Sequence, residues 1–258
     1  MLNDRPGICS LWQLKSRTYI EQYSQLCQQH WWWQARAVII GQVVAKTFAE
    51  KPKPEILDVG CGAGVFWDKL PPGSKMTGLE PDPLLGAQAA QRGRVIPSGW
   101  EKAEIPDATY DGLLLLDVLE HLTDEVAALQ KARRVLKPGG FLILTVPALM
   151  LLWSQHDLAN GHVKRYVLDE MAPLLKRTGF KIVQKRYLFS WFVPAFFMRK
   201  ILLPPQKNTN PNDLQYSVSI PSAPVNALLK TIALINTRVD PYCPLPWGSS
   251  LLVCAQAV

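Results

Sequence analysis

A glycine-rich turn after a short apolar segment constrains this chain more than any other feature. The segment Glu55–Gly64 reads EILDVGCGAG and is followed by Val65, so its glycines have the spacing GxGxG. Glycines permit a tight turn and let a ligand approach the backbone closely. A dinucleotide-binding turn has the spacing GxGxxG, and its third glycine would stand where Val65 is found. The spacing therefore predicts a buried strand leading into a ligand-binding turn, and it disfavours a pyrophosphate as the ligand.

Two acidic residues narrow the ligand further. Asp58 stands just before the turn, where its carboxylate would repel a phosphate but attract an ammonium or sulfonium group. Glu80 ends the next apolar segment, and an acid at that place in a doubly wound sheet can accept both hydroxyls of a ribose. The expected ligand has a ribose, a cationic arm and no phosphate, and S-adenosylmethionine meets all three requirements.

Four motifs in order resemble those of the class I S-adenosylmethionine-dependent methyltransferases, in particular the type 11/12 group. They are the glycine turn, Glu80, the segment YDGLLLLDVLEH at Tyr110–His121 and the segment LKPGG at Leu136–Gly140. The resemblance implies S-adenosylmethionine as the methyl donor and S-adenosylhomocysteine as a product. For Cys61 we expect a small residue that fits the turn, with its backbone lining the cofactor. The predicted cofactor-binding residues are Asp58, Gly60, Cys61, Gly62, Gly64, Glu80, Pro81, Trp100 and Asp117.

Apolar segments alternate with helical segments between positions 55 and 147, which is typical of a parallel sheet covered on both faces. The predicted strands are Glu55–Val59, Met76–Leu79, Val95–Ile96, Gly112–Leu116, Phe141–Val146, Lys181–Arg186 and Ser250–Ala255. The predicted helices include one that begins at Val65 and others at Leu84–Gln91, Glu125–Leu136 and Leu168–Arg177. We expect an α/β, doubly wound, Rossmann-like sheet of seven mostly parallel strands, with the last strand antiparallel by the resemblance.

Three regions are expected from the same patterns. Residues 1–50 form an N-terminal helical cap. Residues 51–187 plus 247–258 form the Rossmann-like domain that binds S-adenosylmethionine. Residues 188–246 form an apolar, proline-rich insertion before the last strand.

The resemblance places the methyl acceptor over the carboxyl ends of the fourth and fifth strands, the usual place in an open α/β sheet. His121 follows the fourth strand, and His156 and His162 lie in the polar segment after the fifth. Each is a candidate general base, because histidine titrates near neutrality. The alternative for His156 is a structural hydrogen-bond cluster with Asp157 and Arg165. For His162 the alternative is a structural role, and for His121 it is capping or packing of the next helix. Arg165 could instead hold a carboxylate or phosphate of the acceptor. The spacing of the three histidines matches no metal-binding motif, so no metal is predicted.

Two apolar segments lie outside the predicted sheet. His30–Trp33 reads HWWW, which predicts either a lid over the site or the packing of an N-terminal helix on the sheet. Tyr187–Leu203 reads YLFSWFVPAFFMRKILL, which is typical of a peripheral membrane contact, a buried helical subdomain or a dimer contact. Pro194 and the charges of Arg199 and Lys200 disfavour a membrane-spanning helix.

Composition limits the remaining classes of protein. Of the 258 residues, 48% are hydrophobic and 19% charged, which allows a large core and excludes global disorder. Five cysteines and no export signal are typical of a reducing compartment. We therefore expect a cytoplasmic protein, peripheral at the inner face of a membrane if Tyr187–Leu203 is a membrane contact. Nucleic acid is disfavoured because the net charge of +7 is spread along the chain.

The sequence thus favours a methyltransferase that acts on a small-molecule or lipid-linked acceptor, at oxygen. A nicotinamide-dependent oxidoreductase is the first alternative, and Val65 and Asp58 both disfavour it. A non-catalytic module that retains the fold is the second, although the intact turn and its acids favour an enzyme. The sequence does not indicate an oligomeric state.

Overall fold

The computed structural model describes residues 17–202, 219–240 and 242–258, which form a seven-stranded sheet with helices on both faces. The strands are β1 (Glu55–Val59), β2 (Lys75–Leu79), β3 (Arg94–Ile96), β4 (Tyr110–Leu116), β5 (Leu136–Pro147), β6 (Phe180–Leu188) and β7 (Ser250–Ala257). Their order across the sheet is β3-β2-β1-β4-β5-β7-β6. The first five strands are parallel, and β7 is antiparallel to both of its neighbours. The predicted fold class is confirmed, including the antiparallel last strand.

Helices connect the strands and cover the sheet. The α-helices of the described residues are α1 (Arg17–Gln29), α2 (Trp31–Thr47), α3 (Pro83–Ala89), α4 (Glu125–Val135), α5 (Gln155–Ala159), α6 (Leu168–Arg177), α7 (Val193–Leu202) and α8 (Ala223–Val239). Short 3-10 helices lie at Val65–Lys69, Leu119–His121, Met150–Leu152 and Ser190–Phe192.

The continuous apolar strands supply two cores, because neighbouring residues of a strand point to opposite faces. In β4, Leu113 belongs to one core together with Leu129 of α4 and Leu175 of α6. Leu114 belongs to the other core, together with Ile39 of α2. All five side chains are fully buried. Burial of one such side chain contributes about 1.5–3 kcal/mol, so these apolar strands bind the cap and the other helices to the sheet.

The segment after the glycine turn differs from the prediction. It forms only the 3-10 helix Val65–Lys69, where a longer helix was expected. Leu70 is extended, and the two prolines that follow it lack the N–H groups that a continuing helix would need. Helices α1 and α2 both contact this short helix, so the N-terminal cap completes that side of the molecule.

The helices α7 and α8 lie between β6 and β7 in the chain, where the insertion is predicted. Helix α8 packs along α2. Oδ1 of Asn226 accepts the N–H of Trp31 at 2.8 Å, and Nδ2 donates to the carbonyl of Gln29 at 2.8 Å. One side chain of α8 therefore caps the break between α1 and α2.

The apolar segment Tyr187–Leu203 has a buried and an exposed part, with Leu203 outside the described residues. Phe189 and Phe192 are buried against Trp31, and the stacked rings of Trp31 and Phe192 are 4.8 Å apart. Trp31 therefore packs as one alternative predicts, but its aromatic partners lie in the insertion. The exposed part consists of Trp191 in the 3-10 helix Ser190–Phe192 and of Phe197, Met198, Ile201 and Leu202 on α7. Within the described residues, no helix has the length and apolar character needed to cross a membrane.

Candidate active site

An open cavity of about 1800 Å³ lies over the carboxyl ends of β1, β2, β4 and β5. A small-molecule pocket commonly has a volume of about 300–1,000 Å³, so this cavity has room for a cofactor and an acceptor together. Every residue predicted for the site lines it except Gly64. Those that line it are Asp58, Gly60, Cys61, Gly62, Glu80, Pro81, Trp100, Asp117, His121, His156 and His162.

Glu80 is bonded to the glycine turn. One oxygen of its carboxylate accepts the N–H of Gly62 at 2.8 Å, and the other accepts the N–H of Asp82 at 2.9 Å. Gly62 has a φ of 55°, a conformation that favours glycine. A carboxylate oxygen can accept more than one hydrogen bond, so Glu80 is held where it can also accept ribose hydroxyls.

Asp58 lies near the end of β1 and is buried. Its carboxylate accepts the indole N–H of Trp67 at 2.7 Å. Burial, assisted by the charge of Glu80, raises the pKa of Asp58 to about 7, and the hydrogen bond from Trp67 offsets only part of this rise. Two neighbouring acids in one cavity wall favour a cationic ligand, in agreement with the sequence-based expectation.

Three predicted cofactor-binding residues contribute to packing around the turn. A Cβ on Gly78 would collide with the thiol of Cys61, so the Cys61 side chain packs against β2. Burial raises the pKa of that thiol, which disfavours a reactive thiolate. The Trp100 indole is buried and donates to the carbonyl of Ala128 at 3.3 Å. Gly64 packs against Ala89 of α3 and is not among the residues that line the cavity, and its role in binding the cofactor stays a prediction.

Asp117, at the carboxyl end of β4, is held by a residue that the sequence analysis missed. Arg36 of α2 pairs with Asp117 and also donates to the hydroxyl of Thr145 on β5. Asp117 has a φ of 57°, a left-handed conformation that is uncommon outside glycine and is concentrated at functional sites. The sequence does contain a signal for the role of Arg36, because it is the only charged residue between Trp31 and Ala45 in a largely apolar helix.

A hydrogen-bond cluster around Asp157 fixes the polar segment after β5. The Asp157 carboxylate accepts Nε and Nη2 of Arg165, both at 2.9 Å, and Nδ1–H of His162 at 2.9 Å. Burial alone would raise the pKa of Asp157, but the hydrogen bonds from His162 and Arg165 hold it below its ordinary value. The cluster is the structural alternative that the sequence suggests, with His162 in the place expected for His156.

The side chain of Arg165 donates hydrogen bonds to other residues of the protein. Besides its two bonds to Asp157, its Nη1 donates to the carbonyl of Ala148 at 3.1 Å, and its side chain is 10% exposed. Arg165 also lines the cavity, so its role in holding a carboxylate or phosphate of the acceptor stays a prediction, although its nitrogens already donate within the protein.

The three candidate histidines lie together but in different surroundings. The ring centroids of His121 and His162 are 4.9 Å apart, and those of His156 and His162 are 6.5 Å apart. The His156 side chain is accessible from the cavity yet surrounded by protein, so desolvation lowers the pKa of its imidazole. A neutral imidazole that faces the cavity can accept a proton, so His156 is the strongest candidate base.

Helix α1 covers part of the cavity above the glycine turn. The ring of Tyr23 lies against Gly62, where an added Cβ would stand 3.3 Å from it. Ser24 donates from its hydroxyl to Oε1 of Gln88 on α3 at 2.8 Å. The HWWW segment also lines the cavity. The N-terminal cap therefore packs on the sheet and also lines the cavity, and a role of HWWW as a lid stays a prediction.

Comparison with known proteins assigns this fold and site to a class. A sequence profile described as a methyltransferase domain matches residues 31–185. The chain is 26% identical over 163 residues to a Mycolicibacterium smegmatis protein named "Probable S-adenosylmethionine-dependent methyltransferase", with 61% of this chain and 62% of that protein covered. It is 27% identical over 175 residues to an O-methyltransferase of Penicillium expansum, with 58% and 62% covered. Among solved structures, the chain superposes on a phosphoethanolamine N-methyltransferase of Haemonchus contortus that was solved with S-adenosylhomocysteine. The TM-score is 0.61 at 15% identity, and the superposition covers 98% of this chain and 60% of that protein.

The sheet order and the acid-lined glycine turn define a Rossmann-like fold of the S-adenosylmethionine-binding class. The chain belongs to the methyltransferase-domain family, because the profile covers more than half of it. This confirms the resemblance found in the sequence, with S-adenosylmethionine as the methyl donor of the family. The chain spans 62% of the length of each of the two curated relatives.

Proposed function

We propose that this protein transfers the methyl group of S-adenosylmethionine to an oxygen atom of a small-molecule or lipid-linked acceptor. The observation that carries the proposal is the single cavity that joins Asp58 and Glu80 to His156. The two acids suit the cationic arm and the ribose of the donor, and the histidine suits a hydroxyl that must lose a proton. O-methyltransferases among the matched relatives support oxygen as the acceptor atom.

Methyl transfer depends more on alignment than on side-chain chemistry. The sulfonium of the donor is already a good leaving group, so the protein must hold acceptor oxygen, methyl carbon and sulfur in line and exclude water. Glu80 holds the ribose and Asp58 faces the cationic arm, which leaves the space over β4 and β5 for the acceptor. His156 takes the hydroxyl proton as the oxygen–carbon bond forms.

The extension of the cavity toward the insertion supports an acceptor that carries a lipid. The cavity continues to Phe196 and Arg199 of α7 and to Lys230 of α8. The outer face of α7 is apolar and exposed. An apolar chain can lie along this face while Arg199 and Lys230 bind an anionic linkage.

Calorimetry with S-adenosylhomocysteine and transfer of a tritiated methyl group test the proposal. We expect the folded protein to bind S-adenosylhomocysteine and to label hydroxyl compounds or lipid extracts at oxygen. His156→Ala should lower kcat by about 10²–10⁴-fold, because it removes the base, and it should leave the affinity for S-adenosylhomocysteine unchanged. Binding of NADH in place of S-adenosylhomocysteine would favour the oxidoreductase, and label on nitrogen would contradict oxygen as the acceptor atom. Binding without transfer to any acceptor would favour the non-catalytic module.

A further inference from the structure

Three side chains that line the cavity converge in an arrangement that methyl transfer as described above does not use. One carboxylate oxygen of Glu120 and one ring nitrogen each of His121 and His162 all lie within 4.8 Å of one another. Glu120 and His121 belong to the 3-10 helix after β4, and His162 lies in the polar segment after β5. The N–H of Val163 donates to the carbonyl of Glu120 at 2.9 Å, so the backbone fixes the two segments to each other.

Glu120 is the unusual member of this group. Its exposure is 1%, yet within the described residues neither carboxylate oxygen accepts a hydrogen bond from another residue. Nε2 of His162 lies 4.0 Å from Oε1 of Glu120, which is too far for a hydrogen bond. A buried carboxylate without a partner is costly, and a bound cation would remove that cost.

His162 is oriented as a metal-binding histidine is. Its Nδ1 bonds to Asp157 at 2.9 Å, and this leaves Nε2 on the side of Glu120. Metal-binding histidines commonly donate their other N–H to a carboxylate, which fixes the ring and the tautomer. Asp157 is itself held by Arg165 and by the N–H of Ser154. The hydrogen bonds that orient a metal-binding histidine are therefore already present around His162.

We propose that Glu120, His121 and His162 bind a divalent transition-metal cation, for which two imidazoles and one carboxylate are a suitable ligand set. Metal–ligand bonds of about 2.1 Å allow two ligand atoms to lie at most about 4.2 Å apart. The group must therefore contract by about half an ångström when the cation binds. The sequence predicts no metal because its third histidine, His156, has the wrong spacing, whereas the structure places Glu120 beside His121 and His162.

The cation has a use that rests on the proposed function. All three ligand residues line the same cavity as His156, so an acceptor oxygen can complete the coordination. A cation on that oxygen acts as a Lewis acid and lowers the pKa of the hydroxyl. The binding of the cation itself does not depend on this use.

Cobalt(II) tests the site without reference to methyl transfer. Untagged protein, first treated with a chelator, should bind one equivalent of Co²⁺ with a visible d–d absorption that Zn²⁺ displaces. Glu120→Gln and His162→Gln should each weaken Co²⁺ binding by about tenfold or more, because each removes a ligand. His156→Gln is the matched control, since its ring lies 6.5 Å from that of His162 in the same segment but outside the ligand set. It should bind Co²⁺ as the unaltered protein does.

Nitrogen NMR of the imidazoles adds a measurement that needs no variant. The chain has four histidines. Zn²⁺ should shift the ring nitrogens of His121 and His162 and leave those of His30 and His156 in place. Absence of Co²⁺ binding by protein that still binds S-adenosylhomocysteine would overturn the metal site and leave the proposed function standing. Equal Co²⁺ binding by the Glu120 and His162 variants would overturn it as well. Co²⁺ binding by protein that fails to bind S-adenosylhomocysteine would support the metal site and refute the proposed function.

Discussion

The carboxylate of Glu80 has one oxygen on the glycine turn and the other on the turn after β2, so both its charge and its shape matter. Glu80→Gln keeps the size but places an amide N–H₂ against one of two backbone N–H donors. We expect calorimetry to show a loss of affinity for S-adenosylhomocysteine of about 100-fold, because hydrogen bonds to a charged group contribute about 1.5–3 kcal/mol each. Glu104→Gln alters an exposed acid outside the cavity and should bind as the unaltered protein does. Equal affinities for the two variants would contradict the ribose-binding role of Glu80.

Asp58 makes both stability and cofactor binding depend on pH. Its pKa is about 7 in the folded protein against an ordinary value of 3.8, so the folded protein binds more protons than the unfolded chain between these values. The free energy of unfolding therefore falls as the pH rises through this range. A cationic ligand favours the ionised carboxylate and releases its proton on binding. We expect the affinity for S-adenosylmethionine to fall about tenfold between pH 8 and pH 6, as the ionised fraction of Asp58 falls.

Calorimetry in two buffers of different ionisation enthalpy measures that proton release directly. Asp58→Asn has no carboxyl group to titrate, so it should abolish both the pH dependence and the release of the proton. An affinity of the unaltered protein that stays constant from pH 6 to pH 8 would show that the cationic arm does not bind beside Asp58.

Helix α2 is fixed to two strand ends by one side chain. Arg36 pairs with Asp117 and Thr145, and the side chains of Arg36 and Asp117 are 9% and 27% exposed. Arg36→Met should lower the free energy of unfolding in urea by about 1–3 kcal/mol, because Asp117 loses its cationic partner but keeps the hydroxyl of Thr145 and remains partly hydrated. Arg92→Met is the control, because it breaks an ion pair with Asp68 that is more exposed: the side chains of Arg92 and Asp68 are 29% and 55% exposed. It should lower the free energy of unfolding by less than about 1 kcal/mol. Similar losses for the two variants would rule out Arg36 as the main tether.

Features that are determined by neighbouring residues in the sequence could be predicted from it. Features that depend on contacts between distant residues could not. The apolar strands are recognisable from their runs of apolar residues, and the glycine turn from the spacing of its glycines. The sheet and the part of the cavity around that turn were therefore predictable. The tether between Arg36 and Asp117 joins residues 81 positions apart, and no local pattern specifies such a pair. The choice of His162 over His156 as the partner of Asp157 depends on how the loop folds back. The position of Glu120 close to His162 also depends on how the loop folds back. In the sequence, Glu120 is only an acid next to His121.

Exposed apolar surface is concentrated on the two described helices of the insertion. On α7 it comprises Phe197, Met198, Ile201 and Leu202, and on α8 it comprises Val225, Leu228, Ile235 and Val239. Large apolar patches mark interaction sites. The cavity reaches the same two helices through Phe196 and Lys230. The net charge of +7 adds attraction to an anionic surface.

A membrane contact through α7 predicts co-sedimentation with vesicles of anionic phospholipid, and weaker co-sedimentation with neutral vesicles or at high salt. The double variant Phe197→Ser, Ile201→Ser should lose most of this binding, because each large apolar side chain contributes about 1.5–3 kcal/mol. Its affinity for S-adenosylhomocysteine should not change, since neither residue lines the cavity. Val183→Ser is the matched control, because it removes an apolar side chain that is 60% exposed on β6. If the double variant binds vesicles as the unaltered protein does, α7 is not the contact. If the unaltered protein binds no vesicles and sedimentation velocity shows a dimer that the double variant breaks, the apolar face is an interface between two copies of the chain.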